Sequence, residues 1–375
     1  MNLKDEIKEA YLSDIINKSI IYQDIGREVP SSFKFKANLL IVLLILKIIV
    51  SFFFRKRKRN SIIGIEWSKI HEDRIKDLES LPMILHYYSR KINLQQIMIF
   101  KGFDISLFYQ LYKEIVPHDF PFKAISNDYN YDSKGYRILF LIDYVLFLNV
   151  LKEREEVFIA GLNDRLSIII SKICHRRHIS LNMLQHGLLA RREGLNQVAV
   201  SRYYYLYNFS LPCLKYAVKP SFSGLELIEL KKKSNRKFSA SFNINRNKNI
   251  AYATMPAFQE SNFAIIDMLL DLNKDYSFNI LIYPHPLENI DTYHTKYKKE
   301  KNLFFSSERH QNLELLISQC STLGVEYFYQ GINSVFVNLH DFKVDIAEAE
   351  EFTVYNSINA LKGNLLAIFK EKSRN

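Results

Sequence analysis

The sequence predicts an α/β protein of two parallel-sheet halves, preceded by a largely helical N-terminal extension. Three observations carry this. From about residue 90 onward short apolar runs alternate with helical ones, the pattern of strand–helix–strand crossovers. One stretch, residues 231–248, is basic, polar and poor in aliphatics, and it reads as a linker between the halves. The chain has 375 residues, 48% hydrophobic and 24% charged, enough for two or three domains with sizeable cores.

Charge and cysteine content narrow the function classes. A net charge of +11 favours phosphate-bearing partners: nucleic acid, anionic lipid or a nucleotide. The three cysteines, Cys174, Cys213 and Cys320, are far apart and odd in number, so neither a disulfide framework nor paired metal ligands is expected. No early apolar core of a secretory signal opens the chain, and the folded domains are expected in the cytosol.

The extension, residues 1–60, contains the most apolar run, Leu39–Phe54, followed at once by Arg55, Lys56, Arg57, Lys58 and Arg59. As a helix the run would reach about 24 Å, short of the ~30 Å hydrocarbon core of a bilayer. Lys47 interrupts it, which is costly at bilayer depth. The favoured reading is an in-plane contact with an anionic membrane surface, narrowly ahead of a buried core helix ending in a solvated charge run. A membrane span ranks third. Nucleic-acid binding by the basic run ranks fourth, because no nucleic-acid module accompanies it.

In the first half, residues 61–230, Gln96–Phe100 and Ile138–Ile142 are expected as strands. Val157–Ala160 reads as a buried strand, and Asn163 or Asp164 caps a helix burying Leu166, Ile169, Ile170 and Ile173. Ile179–Leu184 is the next strand and ends in Gln185-His186-Gly187. The Tyr203-Tyr204-Tyr205 run is a strand with alternating faces. In the second half, residues 249–375, strands are expected at Asn249–Thr254, Phe278–Tyr283, Asn302–Phe305 and Ser334–Asn338. Helices are expected at Gln259–Leu272, Asn312–Ser318, Ser321–Tyr329 (closed by Gly331) and Ser357–Phe369.

Ligands of open parallel sheets bind outside the carboxyl ends of the strands. That rule brings forward Gln185, His186 and Gly187 in the first half, and His285, Pro286, Ser321 and Thr322 in the second. Ser321 and Thr322 open a helix, where hydroxyls and free N–H groups suit a phosphate; alone, they read better as an ordinary N-cap. Glu326, about one turn on, can accept hydrogen bonds from ribose hydroxyls. His285 stands between two prolines that stiffen the strand end, and a protonated imidazole there can meet a phosphate; the plain alternative is a surface histidine in a turn. His186 precedes a glycine that admits close backbone approach, against the alternative of a buried turn histidine. Cys174, His175 and His178 have metal-like spacing, but Arg176 and Arg177 would repel a cation, so they read as a solvated helix end and no metal site is expected. No P-loop, GxGxxG or GxSxG motif is present.

The segments ISLNMLQHG, LIYPHP and STLGVEYFYQGINSVFVN together resemble bacterial capsule and lipopolysaccharide glycosyltransferases of the GT-B fold, with a His-Pro motif also seen in bacterial sialyltransferases. The resemblance covers roughly residues 156–340. It implies two Rossmann-like domains facing across a cleft, an acceptor domain at residues 61–230 and a donor domain at residues 249–375. It further implies that Ser321 and Thr322 bind the donor phosphate, Glu326 the ribose, and His285 the phosphate or leaving group. The expected activity is metal-independent, inverting transfer from a nucleotide sugar to a glycan or glycolipid, with no cofactor and no nucleic-acid partner, at the inner face of the bacterial cytoplasmic membrane. Bacterial sialyltransferases of the His-Pro group commonly carry an acidic pair before a glycine in the first domain, which this chain lacks; Gly161-Leu162-Asn163-Asp164 is the nearest acidic strand end. The general base is therefore assigned to His186, with Asp164 in reserve. Two rival functions are transfer of polyol phosphate from a CDP donor, and a non-catalytic membrane-bound scaffold for polysaccharide assembly.

Overall fold

The computed structural model describes residues 2–24, 32–53, 61–67, 75–76, 78, 83–87, 94–117, 134–162, 164–185, 187–189, 194–230, 248–256, 258–285, 288–310, 312–319, 321–340 and 344–372. The chain divides into two compact units, Met1–Lys232 and Lys233–Asn375. Most of the linker stretch, the whole basic run, Asn163, His186, Pro286 and Cys320 lie outside the described residues.

The first unit opens with helices α1 (Leu3–Asp24) and α2 (Ser32–Ser51). Strands β1 (Ile62–Glu66) and β2 (Ile84–His86) follow, then helices α3 (Leu94–Ile99), α4 (Ile105–Ile115) and α5 (Lys134–Val150). Next come β3 (Glu156–Ile159), α6 (Arg165–Arg177), β4 (Ser180–Leu184), β5 (Val198–Val200), β6 (Arg202–Tyr205), β7 (Val218–Pro220) and β8 (Glu226–Glu229). Six of the strands form an all-parallel sheet in the order β2-β1-β3-β4-β6-β8, while β5 and β7 pair separately. Strand order reverses between β1 and β3. Val157, Ile159, Leu181 and Met183 are buried in the larger core, and Phe158, Ala160 and Leu184 in the smaller one. Burial on both faces is why these strands read as continuous apolar runs.

Asp164 starts α6 with a capping box, accepting from Ser167 N at 2.9 Å while its own N–H donates to Ser167 Oγ at 3.0 Å. Such a cap stabilises a helix by about 1 kcal/mol. Leu166, Ile169, Ile170 and Ile173 are buried as expected, and His178, at φ 55°, ends the helix in the left-handed conformation. Helix α1 buries polar residues and matches each with a partner. Glu6 accepts from the Tyr144 hydroxyl and pairs with Arg176 at 3.1 Å; Asp14 accepts from the Tyr136 hydroxyl and pairs with Lys18 at 2.8 Å. Asn17 holds the Asn196 backbone N–H at 2.8 Å.

Two expected strands are helices. Gln96–Phe100 falls in α3 and the turn that ends it. Ile138–Ile142 falls in α5, which is buried nearly all round, so its apolar residues carry no 3.6-residue contrast with polar ones.

The second unit runs β9 (Asn249–Ala253), α7 (Gln259–Tyr276), β10 (Asn279–Tyr283), α8 (Ile290–Lys296), β11 (Leu303–Phe305), β12 (Leu315–Ser318), α9 (Thr322–Phe328), β13 (Ser334–Val337), then β14 (Val354–Tyr355) and α10 (Ile358–Lys372). Its sheet is all parallel, in the order β11-β10-β9-β12-β13-β14, and reverses between β9 and β12. Ile250 and Tyr252 face a core with Ile265, Ile266, Leu269 and Leu272 of α7 and Leu361 and Leu365 of α10. Ala251 and Ala253 face the other side, with Tyr283, Leu316 and Tyr327. The helix expected at Asn312–Ser318 is a correction: Leu315–Ser318 is a central strand between β9 and β13. A four-residue apolar run fits a buried strand and is too short for its own periodicity to say so. Each unit is thus a Rossmann-like, doubly wound α/β sheet, and each presents a switch point at its strand carboxyl ends.

Candidate functional site

In the second unit the carboxyl ends of β9, β10 and β12 share one hydrogen-bond network. Its centre is Glu288, just after the His285 turn. Glu288 Oε2 accepts from the His285 backbone N–H at 2.8 Å and from the Thr254 hydroxyl; Oε1 accepts from Asn262 Nδ2 at 2.9 Å and the Tyr293 hydroxyl at 2.5 Å. Thr254 follows β9 and also accepts from the His285 N–H at 3.0 Å. Asn262, in the first turn of α7, accepts from Gln319 Nε2 at 2.9 Å and from the Tyr252 hydroxyl at 2.7 Å. Gln319 follows β12, so the network crosses the switch point. Burial first, and the Glu288 carboxylate second, push the Tyr293 phenol above its ordinary range, which keeps it protonated and donating. The outcome is a His285 backbone pinned from several sides, its side chain half-buried at the sheet edge.

Ser321 is the N-cap of α9, with φ −106° and ψ 152°, yet its side chain makes no capping bond. It accepts instead from Ser318 Oγ at 3.0 Å. Thr322 is the first residue of that helix. Gly324 lets the helix lie on the sheet: a Cβ there would stand 2.6 Å from a Phe336 ring carbon and 2.8 Å from Ser318 Cβ. Glu326 pairs with Arg309, an ion pair largely shielded from solvent. Beyond β13, His340 stacks on Phe258 at 3.8 Å between ring centroids and meets Ser261 Oγ at 2.8 Å. Burial holds its imidazole below the ordinary histidine range.

In the first unit, Gln185 is an internal tie. Its amide donates to Gly187 O at 2.9 Å and Ser210 Oγ at 2.9 Å and accepts from Leu206 N at 2.8 Å. Gly187 is half-buried beside it, with His186 outside the described residues. Both oxygens of Asp164 are engaged: Oδ1 by Ser167 N and Oδ2 by Trp67 Nε1 at 3.0 Å. Burial pushes its carboxyl up, against the pull of the Ser167 and Trp67 bonds. At the ends of β1 and β2 the fully buried Glu66 meets His86 Nδ1, in register across the two strands. That pair fixes the orientation of a partly exposed imidazole next to the β1/β3 switch point.

Thr254, Asn262, Glu288, Gln319, His340, Glu66 and His86 had no motif to announce them. His86 and Glu66 are twenty positions apart and meet only because β1 and β2 pair in parallel. A cavity of about 510 Å³ lies at the opposite, amino-terminal end of β9, β12 and β13, lined by residues such as Glu314, Ser334 and Tyr355 and by none of the site residues. Among the described residues no group of three or more His, Cys, Asp or Glu could hold a metal ion.

No protein-family model matches the chain, and no curated protein matches it. Among solved structures, UDP-GlcNAc 2-epimerase of Methanocaldococcus jannaschii, in complex with UDP-GlcNAc and UDP, aligns over 84% of this chain and 94% of its own, at 12% identity and a TM-score of 0.48. Acinetobacter baumannii MurG aligns over 83% and 90%, at 11% identity and a TM-score of 0.45. The UDP-N-acetylglucosamine 2-epimerase of Rickettsia bellii aligns over 76% and 80%, at 11% identity and a TM-score of 0.43. The architecture of each unit follows from its own strand order.

Proposed function

We propose that the chain is a metal-independent, inverting glycosyltransferase. It takes a sugar from a nucleotide-activated donor and adds it to a growing capsule or lipopolysaccharide glycan at the inner face of a bacterial cytoplasmic membrane. The observation that carries this reading is the second unit's switch point, where a pinned His285 and a non-capping Ser321 come from strands on either side of β9. In this reading the donor nucleotide binds there. Ser321 and Thr322 hold the phosphate, His285 stabilises it as it departs, and Glu326, with Arg309, sits toward the ribose.

The first unit supplies the acceptor side. A base takes the proton of an acceptor hydroxyl, the oxygen bonds to the anomeric carbon, and the bond from that carbon to phosphate breaks. His186, the base nominated by the sequence, and His86, oriented by Glu66, are the two candidates. Asp164 is the weaker one, since the cap and Trp67 occupy both its oxygens. Gln185 and Gly187 shape the loop beside His186.

The test is incubation of the full chain with CMP-, CDP-, UDP-, GDP- and dTDP-activated donors and bacterial membranes, followed by mass analysis of the product. A glycosidic linkage without phosphate supports the reading. A phosphodiester shows the CDP-polyol alternative, and binding of no nucleotide leaves the scaffold. Loss of transfer in His186→Ala or in His86→Asn names the base.

A further inference from the structure

Helix α2 shows two stripes of opposite character. Leu44, Lys47, Ile48 and Ser51 point into the first unit and are buried, Lys47 at 1% exposure. Val42, Ile45, Leu46, Ile49 and Val50, with Phe53 just beyond the helix, are exposed, Ile49 at 52% and Phe53 at 85%. Both sets recur at three- and four-residue spacing, so each is one face. A water-soluble surface helix turns its polar residues outward. Among the described side chains, residues 41–53, the lysine and the serine face the protein and every exposed residue is apolar, so the medium this face fits is apolar. Lys47 is accommodated inside near Asp143 and over the Phe100 ring at 5.9 Å, and Ser51 Oγ donates to Ile48 O at 2.6 Å.

The flanking charge identifies the occupant. Between Glu28 and Glu66 the sequence has eight Lys or Arg residues and no acidic one, five of them in the run Arg55–Arg59 directly after the exposed phenylalanines. An apolar face continued by a dense cationic segment matches acyl chains beneath anionic headgroups. One face of α2 is packed against the first unit, and among the described residues no helix is long and apolar enough to cross a membrane. We propose that the outward face of α2 docks the protein flat on an anionic bilayer, with Ile45, Ile49 and Phe53 entering the acyl boundary. The docking face stands on this helix alone, independent of the sugar chemistry, so vesicle binding and nucleotide binding fail separately.

The experiment is co-sedimentation of the full chain with vesicles of phosphatidylcholine alone or mixed with phosphatidylglycerol, with light scattering of the lipid-free protein. Wild type is expected to bind the mixed vesicles roughly tenfold or more tightly than the neutral ones and to release partly in high salt. The triple variant Ile45→Ser, Ile49→Ser, Phe53→Ser, altered only at exposed positions, should lose most binding to both. Replacing Arg55, Lys56, Arg57, Lys58 and Arg59 with Ser should abolish the preference for anionic vesicles. Three results overturn the proposal: no vesicle binding, association that survives alkaline carbonate as a spanning helix would, or a dimer that the triple variant dissolves without any lipid binding.

Discussion

Glu288→Ala is the most informative single change in the second unit. The carboxylate accepts from His285 N, the Thr254 hydroxyl, Asn262 Nδ2 and the Tyr293 hydroxyl. Three of these donors keep another acceptor: Thr254 has Tyr283 O at 3.3 Å, Asn262 has Met255 O at 2.8 Å, and His285 N has Thr254 Oγ1 at 3.0 Å. The buried Tyr293 hydroxyl loses the acceptor its proton points to. One orphaned buried donor costs about 1–3 kcal/mol, and losing the charge on the remaining bonds adds about 1 kcal/mol, so the expected loss is roughly 3 kcal/mol. Glu288→Gln keeps one oxygen acceptor but turns an N–H toward His285 N, so its loss should be about half as large. Urea unfolding of both variants reads the stability, and nucleotide-dependent thermal shift reads the site. The expected result is a graded loss, Ala beyond Gln, with weakened nucleotide stabilisation in both. A Glu288→Ala chain within about 0.5 kcal/mol of wild type, with unchanged nucleotide stabilisation, would refute the clamp.

The other changes separate chemistry from binding and packing. His285→Ala should lower kcat by ~10²–10³ with the fold intact, read by steady-state kinetics and circular dichroism; near wild-type turnover removes it from the leaving-group role. Glu326→Ala should raise donor KM more than it lowers kcat, and a large kcat loss at unchanged KM would make it a chemical residue. Transfer should persist in excess EDTA, and activity lost to EDTA but restored by Mg²⁺ or Mn²⁺ would contradict the metal-independent reading. Burial pulls the Lys47 ammonium down from 10.5 to about 8, with Asp143 opposing. Its folded pKa lies below its unfolded one, so its charge is a penalty below about 8 that disappears as pH rises towards 10.5. Lys47→Met should therefore be the more stable protein at pH 7, by up to roughly 3 kcal/mol, with the gap narrowing above pH 8; a constant gap at all pH values would show that the charge is not what matters.

Strands buried on both faces were legible in the sequence because their composition is their environment: Val157–Ile159, Ile280–Tyr283 and Val335–Val337 stand as apolar runs between turn residues, and Leu181–Leu184 is broken only by Asn182. The same rule failed for Ile138–Ile142 and Leu315–Ser318, since an apolar run buried all round looks alike as helix or strand. At the site, His285 was legible as a strand-end residue and Ser321 as the opening of a helix, although the strand before Ser321 was expected as a helix. The clamp was not, because Thr254, Asn262, Gln319 and Glu288 come from separate elements and meet only once the sheet forms. For α2 the apolar run was plain, but which residues face outward depends on what α5 and α3 cover.

The central claim is that the second unit's switch point holds a nucleotide. Thermal unfolding of the full chain with CMP, CDP, UDP, GDP and dTDP, repeated on His285→Ala and Ser321→Ala, tests it most directly. One nucleotide family should raise the wild-type midpoint, by the equivalent of about 2.7 kcal/mol at a hundred times its Kd, and do so less in both variants. No shift with any of the five, or a shift that both variants retain in full, would contradict the account.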